Sequence, residues 1–181
     1  MASFSERMIG AAMLNVNTYE EVEADSTAIG QAMGVVALSS VAAGIGSFRI
    51  LGVSGLFTMT LSALIGWFVW AGLTFVIGTK LLPEPQTRSD MGELLRTIGF
   101  SSSPGILRVL GFLPLVGWLI SLVASLWMLA AMVIAVRQAL DYHSTGRAVG
   151  VCVIGFIIYV VIGFVVASVF GTASLLSSGL G

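Results

Sequence analysis

The sequence predicts an all-α polytopic membrane protein: a five-helix bundle with a short third membrane helix and an interfacial amphipathic helix. Three observations carry this. Of the 181 residues, 57% are hydrophobic and only 9% are charged, whereas soluble domains average about 25% charged residues. The mean hydropathy is +1.03. Three long stretches, Gly52 to Thr79, Val109 to Val136 and Ala148 to Gly181, contain no charged residue. Each exceeds the about 20 apolar residues that carry a helix across about 30 Å of hydrocarbon. This composition excludes an ordinary soluble domain and a disordered chain.

Residues 1–27 form a polar N-terminal segment. Glu6, Arg7, Glu20, Glu21, Glu23 and Asp25 precede the first long apolar run, which is the reverse of a signal peptide. Between Ser3 and Leu14, the residues Phe4, Met8, Ala11 and Ala12 share one side, as in a helix lying on a membrane surface. Thr18 followed by Glu21 fits a capping box, from which a helix would run into the first span.

That span, about 28–48, is rich in Gly, Ala and Ser. Such a segment gains more from close backbone packing than from lipid contact, so a central position in the bundle is expected. Gly30 and Gly34 form a GxxxG pair, a helix-packing signal that fits a homodimer contact or packing within the monomer. The second span, about 52–79, stops at Pro83-Glu84-Pro85. A polar loop, 80–103, follows. Within it Asp90 and Glu93 form a cap-like pair, and Met91, Leu94, Leu95 and Ile98 fall at i, i+3, i+4 and i+7. This is the amphipathic helix, expected to rest on the bilayer surface or against the bundle, with Gly99 as its stop.

Ser103-Pro104 fits the start of the next helix. An unbroken helix from Pro104 to Leu140 would be roughly 55 Å long, too long for one crossing. Pro114 and Gly117 supply the break, and Trp118 beside them suits a membrane interface. The expected elements are a short helix over 104–115, a full span over 118–139 and a last span over 148–172. Five crossings place Arg7, Lys80, Arg88, Arg96, Arg108, Arg137 and Arg147 on one side and leave only Arg49 on the other. Four crossings would carry the 137–147 loop away from that side. The positive-inside rule favours five, with the N-terminus and the 80–108 loop in the cytoplasm and the C-terminus on the far side.

Several function classes lack their residues. Eight basic residues against nine acidic ones give no footprint for nucleic acid. His143 and Cys152 are each the sole residue of their type, so no catalytic or metal-ligand set and no cofactor is expected. None of the spans carries a charge in its middle, the usual mark of proton relays and selectivity rings. The acidic cluster Glu20, Glu21, Glu23 and Asp25 fits a partner-binding surface or a solvated helix start. These features point to a non-enzymatic integral membrane protein: a scaffold, accessory subunit or organiser of other membrane proteins. The partners would be other integral membrane proteins or a second copy, together with membrane lipids. The alternative is a small-molecule or lipid transporter or channel that uses the helix break at 114–117.

Four features occur together: Tyr19-Glu20-Glu21-Val22-Glu23-Ala24-Asp25 leading into a small-residue span, the central polar loop, Gly99-Phe100 followed by Pro104-Gly105, and Leu110-Gly111-Phe112-Leu113-Pro114 before a Trp-containing span. The combination resembles the Yip family (Ypt/Rab-interacting proteins), most of all its short prokaryotic members, over about residues 4–172. The resemblance implies five membrane helices, a cytoplasmic N-terminus, a far-side C-terminus and, for a prokaryotic member, the bacterial cytoplasmic (inner) membrane. Eukaryotic relatives bind Rab-type GTPases. This chain lacks their long N-terminal region, so a Rab-type GTPase is not the expected partner.

Overall fold

The computed structural model describes residues 2–178, without the side chains of 49–51, 166–167 and 169–178. Helix α1 is Phe4–Ala12. Ser3 caps it by accepting from the Glu6 N–H, while Glu6 accepts from the Ser3 N–H at 2.7 Å, a reciprocal capping box. Helix α2, Val16–Ala24, begins earlier than the Thr18 cap expected from the sequence. Asn15 holds the cap position in extended conformation, and its side chain accepts from the Asn17 N–H at 3.0 Å. Asn is a stronger cap than Thr, and Thr18 instead packs against Gly10 of α1. Asp25 then caps a short 3-10 turn, Ser26–Ala28.

The remaining elements are α3 (Ile29–Gly46), α4 (Phe48–Val76), α5 (Met91–Phe100), a 3-10 helix (Ser103–Phe112), α6 (Gly117–Ala139) and α7 (Thr145–Ser178). Gly52 interrupts α4 with φ of 62°, a conformation that glycine adopts at little cost. At its other end α4 widens into a π-helical turn, Ile77–Leu81. Four stretches are long and apolar enough to cross a membrane: Ser26–Gly46, Gly52–Leu81, Gly117–Ala139 and Thr145–Val165. The chain is thus an all-helical polytopic membrane protein, with no strand among the described residues. The C-terminal Gly181, expected on the far side, lies outside them.

Polar contacts gather at one end of the bundle. Tyr142 Oη lies 2.9 Å from the Gly78 carbonyl and 2.7 Å from the Leu82 carbonyl, which share its single hydrogen. Gln138 donates to Glu20 at 3.0 Å. Glu84 accepts from the backbone N–H groups of His143 and Ser144. The N-terminal helices, the segment after α4 and the α6–α7 turn therefore meet at this polar end. At the opposite end, Gly46 packs on the backbone of Arg108 and Gly111, and Gly117 packs on Gly111.

The third segment runs parallel to α3. Gly99 sits on Ala32, Gly105 on Ser39 and Gly111 on Gly46. The α3 positions advance by seven residues, which is two α-helical turns or about 10.5 Å. Their partners advance by six; from Gly105 to Gly111, both in the 3-10 helix, this is two 3-10 turns or about 12 Å, whereas Gly99 belongs to the end of α5. The tighter helix thus keeps one glycine-bearing face against α3. The sequence predicted an ordinary short helix there; the 3-10 form matches its register to that of α3.

Of the two placements expected for helix α5, the bilayer surface or the bundle, the structure has the second. Its capping box is formed by Asp90 and Glu93, but Leu94, Thr97, Ile98, Gly99 and Phe100 are all buried in the bundle. Arg96 explains why this end can be buried. Its Nε donates to the carbonyls of Val22 at 3.0 Å and Glu23 at 3.1 Å, and its Nη2 also donates to Glu23. These are C-terminal carbonyls of α2, which have no helical partner of their own. Gly99 is not the stop; the helix continues to Phe100, and the glycine serves the contact with Ala32. Outward, Phe57 and Leu61 of α4, Leu126 and Leu129 of α6, and Phe156 and Phe164 of α7 are exposed, giving apolar faces suited to lipid.

Candidate functional site

The acidic cluster of the sequence divides into two pairs with different surroundings. Arg7 is 1% exposed. Its Nη2 lies 2.9 Å from Glu21 and 2.8 Å from Asp25, and its Nη1 donates to Gln31 at 3.0 Å. This guanidinium ties α1, α2 and the start of α3 together. The Ala2 N–H and then Arg7 hold the Glu21 carboxyl below its ordinary range. The Thr27 hydroxyl and then Arg7 do the same for Asp25. Both acids are thereby engaged inside the chain.

Glu20 and Glu23 instead line an open cleft of about 780 Å³ at the polar end, shared with Glu93, Asp141, Arg137 and His143. Burial pushes the Glu23 carboxyl up to about 7, and the neighbouring charges of Glu93, Asp141 and Glu20 push in the same direction. Arg137 is turned partly toward the backbone, donating to the Tyr142 carbonyl at 3.2 Å. Acids from α2, α5 and the α6–α7 turn thus converge on one surface. The sequence singled out Glu20 and Glu23, but Glu93 and Asp141 could be added only once the elements were assembled. No group of three or more His, Cys, Asp or Glu residues is arranged to hold a metal ion among the described residues.

The other sequence candidates fall elsewhere. Gly30 has open space where a Cβ would stand, and Gly34 meets only the Phe4 ring at 3.8 Å. Close packing of α3 on its neighbours runs through Ala32, Ser39 and Gly46 instead. Pro114 and Gly117 bracket the turn between the 3-10 helix and α6. There Leu115 has φ of 69° and is 91% exposed.

The sequence groups Arg108 with the polar loop and the basic residues around it. In the structure it lies away from that end, in the 3-10 helix, where it donates to Ser125 of α6 at 2.8 Å. A charge therefore lies half-buried between the 3-10 helix and α6. The signal was present, since Arg108 falls within the 104–115 helix that the sequence itself predicted.

A family model described as the Yip1 domain matches residues 10–166. The chain belongs to the Yip1 family. No curated protein and no solved structure matches it. The match runs from α1 into α7, so both the acidic cleft and the Arg108 environment of this Yip1-family membrane protein lie within it.

Proposed function

We propose that this Yip1-family protein is a non-enzymatic scaffold or accessory subunit that docks other integral membrane proteins through the acidic cleft. In this reading the chain crosses the membrane five times, the third time through α5 and the 3-10 helix, in a bacterial cytoplasmic membrane. The cleft faces the cytoplasm, and its partner is the basic juxtamembrane segment of another membrane protein. One observation carries the proposal. Glu20, Glu23, Glu93 and Asp141 come from three separate elements onto one open surface, while Glu21 and Asp25 are held by Arg7. The parallel run of the third segment beside α3 supports five crossings, because it starts at the polar end and finishes beside Gly46.

A photo-crosslinking residue at Ala24, which lines the cleft, tests this in native membranes. The expected result is a discrete adduct with a membrane protein that weakens when Glu20 and Glu93 are changed to Lys. An adduct pattern no different from that of a probe at Leu115, or solute movement by the purified protein alone in liposomes, would speak against it.

A further inference from the structure

A second cavity, of about 280 Å³, is bordered by Ser39, Trp67, Trp70, Arg108, Met132 and Tyr159. Its chemistry is one-sided. Arg108 brings a cation, yet no carboxylate lines the cavity. One guanidinium N–H goes to Ser125; the others have no partner among the described residues. Ser125 is itself committed as a donor to the Ser121 carbonyl at 2.7 Å, so it offers Arg108 only a neutral oxygen. The Trp70 indole N–H is buried without a hydrogen-bond partner. Its ring meets Tyr159 edge-on, with centroids 6.0 Å apart. Trp67 differs, because its indole N–H is used on the Leu95 carbonyl at 3.0 Å.

A charge at membrane depth is costly, and such residues pair with a counter-charge or mark a ligand path. A buried donor without an acceptor adds to that cost. Both are relieved by an anion with several acceptor oxygens, and a guanidinium fork matches phosphate geometry. Apart from Ser40 and Ser102, the rest of the lining (Val36, Ala63, Gly66, Ile98 and Met128) is apolar, and Phe57 and Leu61 of α4, Leu126 of α6 and Phe164 of α7 are exposed on the outside; both suit hydrocarbon rather than water. Ser125 lies eight residues along α6 from Gly117, about 12 Å from that helix end. This depth is within reach of a lipid of the leaflet at the Gly117 end.

We propose that this cavity is a binding site for an anionic phospholipid, with the lipid phosphate on Arg108 and Trp70 and the acyl chains on the outward faces of α4, α6 and α7. The site is separate from the acidic cleft, and either can fail without the other.

The test uses tryptophan fluorescence of the full chain in mild detergent, with Trp118 and Trp127 changed to Phe so that Trp67 and Trp70 report. Brominated phosphatidylglycerol should quench in a saturable manner, and brominated phosphatidylcholine at least about tenfold more weakly. Arg108→Gln should weaken the phosphatidylglycerol response by about tenfold, with Arg108→Lys intermediate because it keeps the charge and loses the fork. If Arg108→Gln does not fold, the comparison of the two lipids and Arg108→Lys still decides. Equal, non-saturating quenching by both lipids, unchanged in either variant, would overturn the proposal. Displacement of the brominated lipid by inorganic phosphate at the same concentration would overturn the lipid as the source of the phosphate.

Discussion

Gly105 and Ser39 touch inside the bundle so closely that a Cβ on the glycine would overlap the serine Oγ. Together with the contacts of Gly46 on Arg108 and Gly111, it sets the distance between the 3-10 helix and α3. Gly105→Ala is therefore expected to cost about 1–3 kcal/mol through overpacking, lowering the thermal midpoint by about 3–10 °C. Ser39→Gly should recover part of that loss in the double variant. Gly30→Ala, where nothing stands within 4 Å, should leave the midpoint unchanged or slightly raised.

Arg7 is predicted to matter for stability out of proportion to its place in a polar N-terminal segment. Arg7→Met removes the shared partner of Glu21 and Asp25 and leaves two carboxylates facing each other. Breaking a buried ion pair from one side costs about 3–5 kcal/mol; water at the partly exposed Glu21 lowers this to about 2–3 kcal/mol. Thermal unfolding of Arg7→Met beside the triple variant with Glu21→Gln and Asp25→Asn checks it, and the triple variant should be the more stable.

Glu23 sets a pH dependence of its own. Its carboxyl titrates near 7 in the folded chain, against 4.5 as its ordinary value. Between those values the folded state holds the proton more tightly than the unfolded one, so the contribution of Glu23 to stability falls as pH rises through that window. Glu21 and Asp25 act oppositely, but only at lower pH, because their carboxyls are held down. Thermal midpoints at pH 5.5 and pH 8 should thus differ more in the unmodified chain than in Glu23→Gln, with the variant gaining most at pH 8.

Tyr142 holds the α6–α7 turn to the π-helical end of α4 through the carbonyls of Gly78 and Leu82. Removing the hydroxyl in Tyr142→Phe leaves both carbonyls without that donor, at a cost of about 1–2 kcal/mol. Amide hydrogen exchange should quicken locally over 77–82, while exchange in the middle of α3 stays as it was.

Much of the fold was legible because lipid imposes a simple code. Uncharged runs long enough to cross marked the four long helices, and Pro114 with Gly117 marked the turn before α6. The Asp90–Glu93 cap was legible because it depends on residues three apart. Which of its two expected placements α5 takes was not, because burial in the bundle depends on Arg96 reaching the carbonyls of Val22 and Glu23, far away in sequence. The same limit applies to the cleft. Glu20 and Glu23 stood out as part of a charge run, whereas Glu93 and Asp141 become their neighbours only through packing. In the sequence Arg7 is one more basic residue, since nothing local indicates that it is buried against two of the four acids. The 3-10 form of Ser103–Phe112 was hidden for a related reason: its six-residue glycine spacing acquires meaning only beside the seven-residue spacing of α3.

The docking proposal requires the N-terminal helices, the segment after α4 and the α6–α7 turn to share one side of the membrane. Labelling of single cysteines by a membrane-impermeant maleimide tests this most directly, in a chain with Cys152→Ala. The account predicts that Ser89→Cys and Ser144→Cys are labelled together, only after the cytoplasmic side is opened, and that Leu115→Cys is labelled from the outside in intact cells. Labelling of Ser144→Cys in intact cells together with Leu115→Cys would contradict it.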